Sequence, residues 1–567
     1  MTDICCYEHD RGFVLERFQR GEFDYVDSAS EVLETEFFRY IEQKSILEEL
    51  GESYPSPRKK HDVPVWLYLA CNISMRMHGV HAYHAFPYLV RVGGMLTVFG
   101  PKVAHKNTDP TTGDVTLKCE GFNHKNIYSR QTPCDHDYLR KFSKDTEAEA
   151  LTRWFNRDVN KKLRKHKCYD PEGIFIGDGS YIFVPDNERY EFAVRMLFDE
   201  HGHPVDAEAQ EKMTKAQLTR CRWRRCYKLV SLLHTDRARS FTLRVAVRVV
   251  PGNAHECPVL YELVDQFVED MGEGLIQRLI LDRGFIDGAA IERCKREHGI
   301  DVLIPVKKNM EIYQDVLGLL RLPEVKFTEY QEPQREALEA PRLPEAPPRI
   351  QQRERKRQRT IKAKKEAQPK PEEEEQSDRV VRTEVAGVSG LRSFRSCNLP
   401  VNVIVSREQY QSGREEIWML LDTKPLTKED NAQERRAEYS IRVEIEEGHR
   451  QLKCFWDLAK FTSVAFSMVL NQIIFVTLTF NLLQLFLKRE RPKDGMPRRT
   501  RDRILDQLLP TRTVVVIYCE NRFATMTQMD YTELLLELSE EAKQKVLQKV
   551  KRLRRSLPAE MLPARRL

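Results

Sequence analysis

Four polar residues in the second half of the chain could together bind a metal ion and a phosphate. They are a phenol, a guanidinium, a carboxylate and an ammonium: Tyr439, Arg442, Glu446 and Lys453. Each residue of an α-helix rotates by about 100°, so all four fall within an arc of roughly 60°. Two interpretations are open at this point. The stripe is either a solvated helix face with Glu/Arg pairs or a site in which cations and a carboxylate surround a phosphate and a metal.

The opposite side of the same predicted helix is apolar. Its residues are Ile441, Ile445, Leu452, Phe455 and Trp456. An apolar stripe of this kind packs against a core. The helix is therefore expected to present its polar stripe from a fixed position on a folded domain.

The spacing Tyr-x2-Arg-x3-Glu-x6-Lys resembles the signature of DDE transposases of bacterial insertion sequences. More narrowly, it resembles the Tyr-Arg-Glu-Lys branch known as the insertion sequence 4 family. The resemblance implies that Glu446 is the third metal-binding carboxylate, and that the other three residues grip DNA phosphates. It also implies two upstream aspartates, each associated with a strand. One departure is Val443, which stands where the family usually has a tryptophan.

Two aspartates meet that requirement. Asp178 lies inside the strand pattern IFIGDGSYIFV, and Asp282 ends the strand pattern in LILDRGF. Taken singly, they could be a turn aspartate and a helix cap. Two carboxylates meeting at one sheet edge would repel, and a divalent cation relieves such repulsion. The stretches DGS and LDRGF resemble the family's first and second aspartate motifs. The implied triad is Asp178, Asp282 and Glu446, binding two Mg²⁺ ions, for which Mn²⁺ can substitute.

The elements around these aspartates predict an α/β catalytic core. Three β-branched runs, PEGIFIGDGSYIFVPD, YKLVSLLH and TLRVAVRVV, read as strands. A helix over about His255 to Met271, the strand QRLILD, a helix from about Asp287 and the strand DVLIPVK follow. This is the order of a ribonuclease-H-like core, a mixed sheet flanked by helices. We assign residues 166–322 and 436–488 to it.

The remaining segments differ in composition. Residues 1–165 predict a helical N-terminal DNA-binding domain, and residues 323–379 are proline-rich and then strongly charged, which predicts a flexible insertion. Residues 380–435 predict a β-rich insertion before the catalytic glutamate. Residues 489–567 predict a basic, mostly helical C-terminal tail containing one short strand, RTVVVIY.

Two smaller features leave alternatives open. Cys119, His124, Cys134 and His136 could in principle bind zinc, but their spacing fits no zinc-finger pattern. Trp418 precedes Tyr439 by 21 residues, in WMLLDTKP. A tryptophan in an apolar strand is usually a core residue. The resemblance implies instead that Trp418 stacks on a base flipped out of the transposon end.

Composition bounds the cellular setting. A chain of 567 residues is expected to form two or three domains, and the net charge of +6 with clustered cations favours an anionic partner. Thirteen scattered cysteines and an N-terminus without a signal-peptide pattern predict a cytoplasmic protein with reduced thiols. The run TSVAFSMVLNQIIFVTLTFNLLQLFL is long enough to span a membrane. Its internal asparagines and glutamines predict a buried helix instead, and no membrane partner.

The resemblance implies a complete activity. The protein would bind the terminal inverted repeats of an insertion sequence as a homodimer and hydrolyse the phosphodiester at each end. The freed 3′-OH would then join target DNA, in a nucleoid-associated setting in the cytoplasm. Two rival functions remain: a nuclease on the same fold that does not join DNA, and a non-catalytic DNA-binding descendant of a transposase.

Overall fold

A computed structural model describes most of the chain. The described residues are 8–9, 11–23, 25–59, 63–86, 94–99, 104–108, 110–112, 115–119, 134–331, 379–426, 431–454, 456–490, 513–520 and 522–556. His124, Phe455, most of the 323–379 insertion and residues 491–512 of the tail lie outside them. The ten cysteines whose side chains are described are free thiols.

The N-terminal part is mostly helical, as its periodicity predicts. Its elements are β1 Glu8–His9, α1 Arg11–Gln19, β2 Tyr25–Ser30, α2 Glu31–Gln43, α3 Ile46–Ser53, α4 Val65–Met77, a 3-10 turn Tyr83–Ala85, α5 Gly94–Phe99, β3 Ala104–Thr108, β4 Val115–Cys119, α6 His136–Asp145, α7 Ala148–Arg153, a π-helical turn Trp154–Val159 and α8 Asn160–Lys165. The helices α2 to α4 and α6 to α8 pack into the main hydrophobic core.

The first part of the predicted catalytic core follows without a break in the described residues. Its elements are β5 Ile174–Val184, β6 Val194–Phe198, α9 Ala207–Lys212, α10 Lys215–Arg220, β7 Arg222–Thr235, β8 Thr242–Pro251, α11 Glu256–Met271, β9 Arg278–Leu281, a 3-10 turn Arg283–Phe285, α12 Gly288–His298, β10 Asp301–Pro305 and α13 Glu311–Leu319. The three strands, helix, strand, helix and strand predicted from the sequence are all present. The short hairpin strand β6 and helices α9 and α10 are additions to that prediction.

The second half of the chain completes the core. Its elements are β11 Thr328–Glu329, β12 Val380–Leu391, β13 Val401–Tyr410, β14 Glu415–Asp422, α14 Asn431–Tyr439, a 3-10 turn Ser440–Arg442, α15 Val443–Cys454, α16 Phe466–Glu490, β15 Thr513–Cys519, β16 Arg522–Thr527, α17 Gln528–Glu537 and α18 Glu540–Ser556. The predicted strand and amphipathic helix of the tail correspond to β15 and α18.

Ten of these strands form one mixed sheet. Its order is β11-β12-β13-β14-β10-β9-β5-β7-β6, with β8 also paired to β7. Strands β5, β9 and β10 are parallel, whereas β7 is antiparallel to β5 and β14 is antiparallel to β10. The five core strands predicted from the sequence thus take the order β8-β7-β5-β9-β10. This order puts β5 and β9 side by side, which the positions of Asp178 and Asp282 require.

The sheet extends into the region predicted to be a flexible insertion. Strand β11 pairs with β12, and the Tyr330 N–H donates to Thr383 O at 2.8 Å. The prediction of a flexible segment starting at residue 323 is therefore wrong for 328–330. These residues form the edge strand of the sheet and gain backbone hydrogen bonds from β12, about fifty residues farther along the chain.

The most apolar helix is a core element. By length and composition, Phe466–Arg489 is the one helix of the described residues that could cross a membrane, but 83% of its apolar window is buried inside the protein. Its polar side chains bond to neighbouring elements: Asn471 donates to Tyr68 Oη at 3.0 Å, and Asn481 donates to Arg244 O at 2.8 Å. These contacts confirm the prediction of a buried helix.

The two ends of the chain meet in a small second sheet. Its order is β1-β16-β15-β2, so that strands from residues 8–30 pair with strands from the C-terminal tail. A separate hydrophobic cluster, including Phe18, Phe23 and Ile517, lies beside it. The sequence does not reveal this pairing, because the partners are almost 500 residues apart. The predicted limits of the six segments remain predictions.

Candidate active site

The adjacent parallel strands β5 and β9 bring Asp178 and Asp282 to the same level of the main sheet, where β9 ends. Gly177 of β5 is in register with Leu281 of β9, and each aspartate is the next residue along its strand. Asp178 accepts a hydrogen bond from the Gly179 N–H at 2.8 Å. Asp282 caps the following 3-10 turn and accepts from the Arg283 N–H at 2.7 Å. The first two predicted carboxylates are therefore neighbours in the fold.

The position of Asp178 disfavours its ionised form. The pKa of this carboxyl is raised to about 7, mainly by burial and to a smaller extent by Glu256 and Asp282, while the Gly179 N–H and Arg442 oppose the rise. A carboxylate in such surroundings is stabilised by an added cation. The surroundings thus suit a cation-binding ligand better than a simple structural residue.

Glu446 approaches the same edge from helix α15. Its side chain is 52% exposed and forms an ion pair with Arg442, one helical turn earlier and only 18% exposed. Burial lowers the pKa of Arg442, but Tyr439, Glu446, Asp282 and Asp178 outweigh it and raise that pKa. Arg442 is therefore within electrostatic reach of all three predicted carboxylates.

These donors can be tested against a divalent metal. Among the described residues, no three His, Cys, Asp or Glu side chains are close enough together to hold a metal ion. Asp178, within β5, and Asp282, just after the end of the adjacent β9, nevertheless offer oxygen donors, as Mg²⁺ prefers. The Glu446 carboxylate faces Arg442 in this conformation. The chemistry of the two aspartates suits a divalent metal, and Glu446 would join them after leaving Arg442.

Tyr439 marks a break in the signature helix. Helix α14 ends at this residue, and a 3-10 turn, Ser440–Arg442, precedes α15. The prediction of one continuous helix from Tyr439 to Lys453 is wrong here. The Ser440 hydroxyl donates to Ala437 O at 2.6 Å, and such back-bonding tightens a helical turn. Burial raises the pKa of Tyr439 to about 12, with Arg442 opposing and Asp282 and Glu446 adding to the rise.

Lys453 lies farther along α15 and contacts strand β5. Its Nζ donates to Ser180 Oγ at 2.5 Å, two residues beyond Asp178. Burial and Arg244 lower the pKa of Lys453 to about 8, and Asp178 opposes this change. The predicted polar stripe is thus divided. Tyr439, Arg442 and Glu446 form one group, and Lys453 stands on the Asp178 side.

The apolar stripe of the signature segment is confirmed where it is described. Ile441, Ile445, Leu452 and Trp456 are buried. Ile441 and Ile445 join a cluster with residues of β5, β9 and β13. This packing fixes α15 across the strands that carry the aspartates.

Two residues near Asp178 were not predicted from the sequence. His449 on α15 places its Nε2 3.7 Å from Asp178 Oδ2, and its Nδ1 lies 3.3 Å from the buried Arg244 of β8. Burial, together with Arg244 and Lys453, lowers the pKa of His449 well below its usual value. Arg244 also donates to Ser231 Oγ at 2.5 Å. The strand TLRVAVRVV contains two arginines, Arg244 and Arg248, and nothing local in the sequence marks the first as the buried one.

Trp418 is neither fully buried nor free. Its indole N–H donates to Glu408 Oε1 at 2.8 Å, and its ring centroid lies 6.2 Å from that of Tyr439. The Arg436 guanidinium stands 4.4 Å from the indole centroid. The Trp418 side chain is partly buried and packs against the cluster that holds Ile441 and Ile445. Its location beside Tyr439 is compatible with the predicted clamp, whose role remains a prediction.

A buried ion cluster anchors the start of the signature segment. Arg278 of β9 pairs with Asp422 at 2.5 Å and with Glu438 at 2.8 Å. Arg435 pairs with Asp422 at 3.1 Å and with Glu438 at 3.7 Å. All four side chains are at most 5% exposed. The cluster ties α14 to β9 and β14 and so fixes the residue just before Tyr439.

The possible zinc ligands are not assembled in the described residues. Cys134 is buried and donates weakly to Asp135 O, and His136 begins helix α6. His124 and the side chain of Cys119 lie outside the described residues. The part of this group that can be seen has the contacts of ordinary structural residues.

Comparison with known proteins places this site in a family. Residues 190–482 match the family described as "Transposase DDE domain". The match contains Asp282, Trp418 and the whole signature but begins after Asp178. No curated protein matches the chain.

One similar solved structure is a synaptic complex of the piggyBac transposase with hairpin DNA. It aligns with 76% of this chain and 69% of that chain, at 9% sequence identity and a TM-score of 0.32. This likeness is too weak to define the fold. The family match spans just over half of the 567 residues. The chain therefore belongs to the DDE-domain family of transposases.

Proposed function

We propose that this transposase catalyses cut-and-paste transposition of an insertion sequence of the Tyr-Arg-Glu-Lys branch. The observation that carries the proposal is the placement of Asp178 within β5 beside Asp282 at the end of the adjacent β9, with Arg442 linking them electrostatically to Glu446. The strand order β8-β7-β5-β9-β10 supports a ribonuclease-H-like core. The substrate would be the terminal inverted repeats of the element, followed by target DNA.

Asp178, Asp282 and Glu446 would hold two Mg²⁺ ions, or Mn²⁺ in their place. When bound, such ions activate water and neutralise charge on the reacting phosphate. The protein's own contribution is to place carboxylate oxygens at one edge and to keep that edge partly buried. Release of Glu446 from Arg442 would free both the carboxylate and the guanidinium.

The cations of the signature would hold the DNA backbone. Arg442 can offer two parallel N–H donors to a phosphate, whereas Lys453 acts as a single charge. Their positions differ, because Arg442 contacts Glu446 and Lys453 contacts Ser180 beside Asp178. Two phosphates on either side of the scissile bond would be the natural ligands. Tyr439, whose phenol stays protonated at neutral pH, would donate a hydrogen bond to a phosphate.

Trp418 would act as a clamp for a flipped base. Its ring stands beside Tyr439 and is only partly covered by protein. A base inserted there would have to compete with Arg436, which stands near the indole ring. The flipped base would distort the end of the element and allow a hairpin to form.

Two copies of the chain would pair two element ends in the active complex, so that both cuts are coordinated. The complex would act on the nucleoid, in the cytoplasm. Light scattering of the end complex should give the mass of a dimer. A fully active complex of one protomer and one end would contradict this part of the proposal.

The activity can be tested with a plasmid that carries the DNA flanking both sides of the coding region. With Mg²⁺, the purified protein should excise the segment and insert it into a second plasmid. A chelator should stop both steps without abolishing binding. Excision without any joined product would favour the rival nuclease. End binding without cleavage in Mg²⁺ or Mn²⁺ would favour the non-catalytic descendant.

A further inference from the structure

Strands β5 and β7 continue to pair beyond the point where β9 ends. We propose that the open face of this extension binds the phosphate backbone of duplex DNA without reading its sequence. We call this surface the basic-aromatic face. Its residues are Tyr181, Phe183, Arg222, Arg224 and Lys228. It lies outside the signature and the triad. Part of the proposal rests on the proposed function, because it assigns this DNA to the region beyond the reacting phosphate.

Strand alternation places the five residues on one side of the sheet. Tyr181 pairs with Lys228 in the β5–β7 register, and Arg222 and Arg224 precede Lys228 at even intervals along β7. Side chains two residues apart in a strand point to the same face. Asp178 and Ser180 point to the other face, toward helix α15. The basic-aromatic face therefore lies on the reverse side of the same strand.

The aromatic rings hold the cations in place. The rings of Tyr181 and Phe183 stack at 6.4 Å with an interplanar angle of 18°, and Phe198 meets both of them edge-on. Lys228 stands 5.0 Å from the Tyr181 centroid, and Arg224 stands 4.7 Å from that of Phe183. Cation–π contacts of this kind limit the freedom of a long side chain. The ammonium and guanidinium are thus ordered before any ligand arrives.

Lys228 of this face is buried and paired, but the two exposed cations, Arg222 and Arg224, are not balanced by the protein. The segment Arg220 to Lys228 contains five cations and no acid. Lys228 meets Glu256 at 3.4 Å, and on the other face Arg195 and Arg225 share Asp186. Within the part of the chain that the structure describes, Arg222 and Arg224 have no carboxylate within ion-pair distance, and both are exposed. An anionic partner would complement them.

Helix α11 leaves the face open. The helix covers the same side of β5 only as far as Gly179, against which Glu256 at its N-terminus packs. Tyr181 and Phe183 lie beyond that point and are half-buried. Phe183 is five residues from Asp178, which is about 17 Å along a strand. Because this face is on the reverse side of β5 from Asp178, DNA bound here would be a segment separate from the one that holds the reacting phosphate.

The occupant we assign is the DNA backbone rather than an unstacked base. Arg224 already occupies the surface of the Phe183 ring, so that a base could not stack there without displacing it. Guanidinium groups bind phosphates through paired N–H donors. No base-reading group is needed for such contacts, which position DNA without specifying its sequence. The face is therefore suited to flanking or target DNA.

Charge reversal tests the assignment. The variant Arg222→Glu/Arg224→Glu is compared with Arg321→Glu/Lys326→Glu, whose two exposed cations lie on another part of the surface and give the same change in net charge. Binding of the full chain to a duplex of unrelated sequence is measured by fluorescence anisotropy in EDTA, over a range of salt concentrations. Thermal melting of all three proteins checks that they are folded.

We expect the first variant to lose on the order of tenfold or more in affinity, and the slope of log K against log salt to fall by roughly two. The control should change affinity by less than about threefold. Bromodeoxyuridine-substituted DNA should photocrosslink to the peptide that contains Tyr181 and Phe183. Because the assay contains no metal, loss of cleavage elsewhere does not affect its outcome.

Equal losses in the two charge-reversed proteins, or an unchanged salt slope in the first, would overturn the proposal. Light scattering addresses the other possible occupant, a second copy of the chain. If the first variant becomes monomeric while its DNA affinity per protomer stays the same, the face belongs to a protein interface. That result would also overturn the proposal.

Discussion

Strand β9 begins at Arg278 and ends beside Asp282, and each end carries a cluster of charged side chains. At the first end, two arginines and two carboxylates neutralise each other in the interior. Burial alone would lower the pKa of Arg278, but Asp422 and Glu438 raise it above its usual value. At the second end, burial raises the pKa of Asp178 to about 7 and lowers that of Lys453 to about 8.

The difference shows which cluster is complete. Protein partners at the Arg278 end favour the charged form of Arg278, as expected of a structural ion cluster. At the Asp282 end the surroundings disfavour the charged forms of Asp178 and Lys453, which is common where a site binds a charged ligand. The two ends are only four residues apart along β9. A single rigid strand thus connects an anchor to a candidate active site.

The largest expected effect is loss of DNA cleavage when a carboxylate at the Asp282 end of β9 is removed. Asp178→Ala, Asp282→Ala and Glu446→Ala should each reduce DNA cleavage on the order of a thousandfold or more, because each removes a metal-binding oxygen. End binding should remain largely intact. The matched control is Glu447→Ala, which removes the neighbouring carboxylate that pairs with Arg450 instead. Measurable Mg²⁺-dependent nicking by one of the three variants would remove that residue from the triad.

At the Arg278 end of β9, a substitution should reduce the stability of the protein. Arg278→Met leaves Asp422 and Glu438 buried with only Arg435, and should lower the free energy of unfolding by about 3–5 kcal/mol. Denaturant titration measures this loss. The double variant Arg278→Met/Asp422→Asn restores the charge balance and should recover part of the loss. A stable Arg278→Met protein with impaired cleavage would mean that the comparison is wrong.

A buried neutral histidine beside the first residue of β5 should make the stability of the protein depend on pH. His234 lies 3.0 Å from Ile174 O, accepts from the Asp170 N–H at 2.8 Å, and burial lowers its pKa to about 4. The unfolded chain binds this proton more readily, so stability should fall as the pH drops from about 6.5 to about 4. The loss should be about 3 kcal/mol. Urea titrations at several pH values in this window should show that the free energy of unfolding changes less with pH in His234→Gln than in the unchanged protein. An equal change with pH in the two proteins would contradict the assignment.

Trp418→Ala should have the smallest effect and decides between clamp and core. As a clamp, the variant keeps its melting temperature and first-strand nicking. It should lose about 1–3 kcal/mol in the later step that needs the flipped base. An abasic site at that position should partly restore the step. As a core residue, its truncation should cost about 3–5 kcal/mol of stability, without rescue by the modified DNA. Melting temperature, nicking rate and hairpin yield on both DNAs distinguish the outcomes.

Local patterns in the sequence were enough to predict the core strands and helices. The alternating or apolar runs around Asp178 and Asp282 form β5 and β9, and the apolar stripe with Ile441 and Ile445 is buried. These predictions succeed because each depends on residues that are close together in the chain. The polar interruptions of helix α16 correctly predicted a buried helix for the same reason.

Tertiary structure alone decided which distant residues meet. The adjacency of Asp178 and Asp282 depends on strand order, and the contact of Lys453 with Ser180 depends on how α15 crosses the sheet. The buried partners Arg244 and His449, the Arg278 cluster and the sheet joining both chain ends have no local signature. Each arises from packing between segments far apart in sequence, where burial and charge balance are set by the fold as a whole.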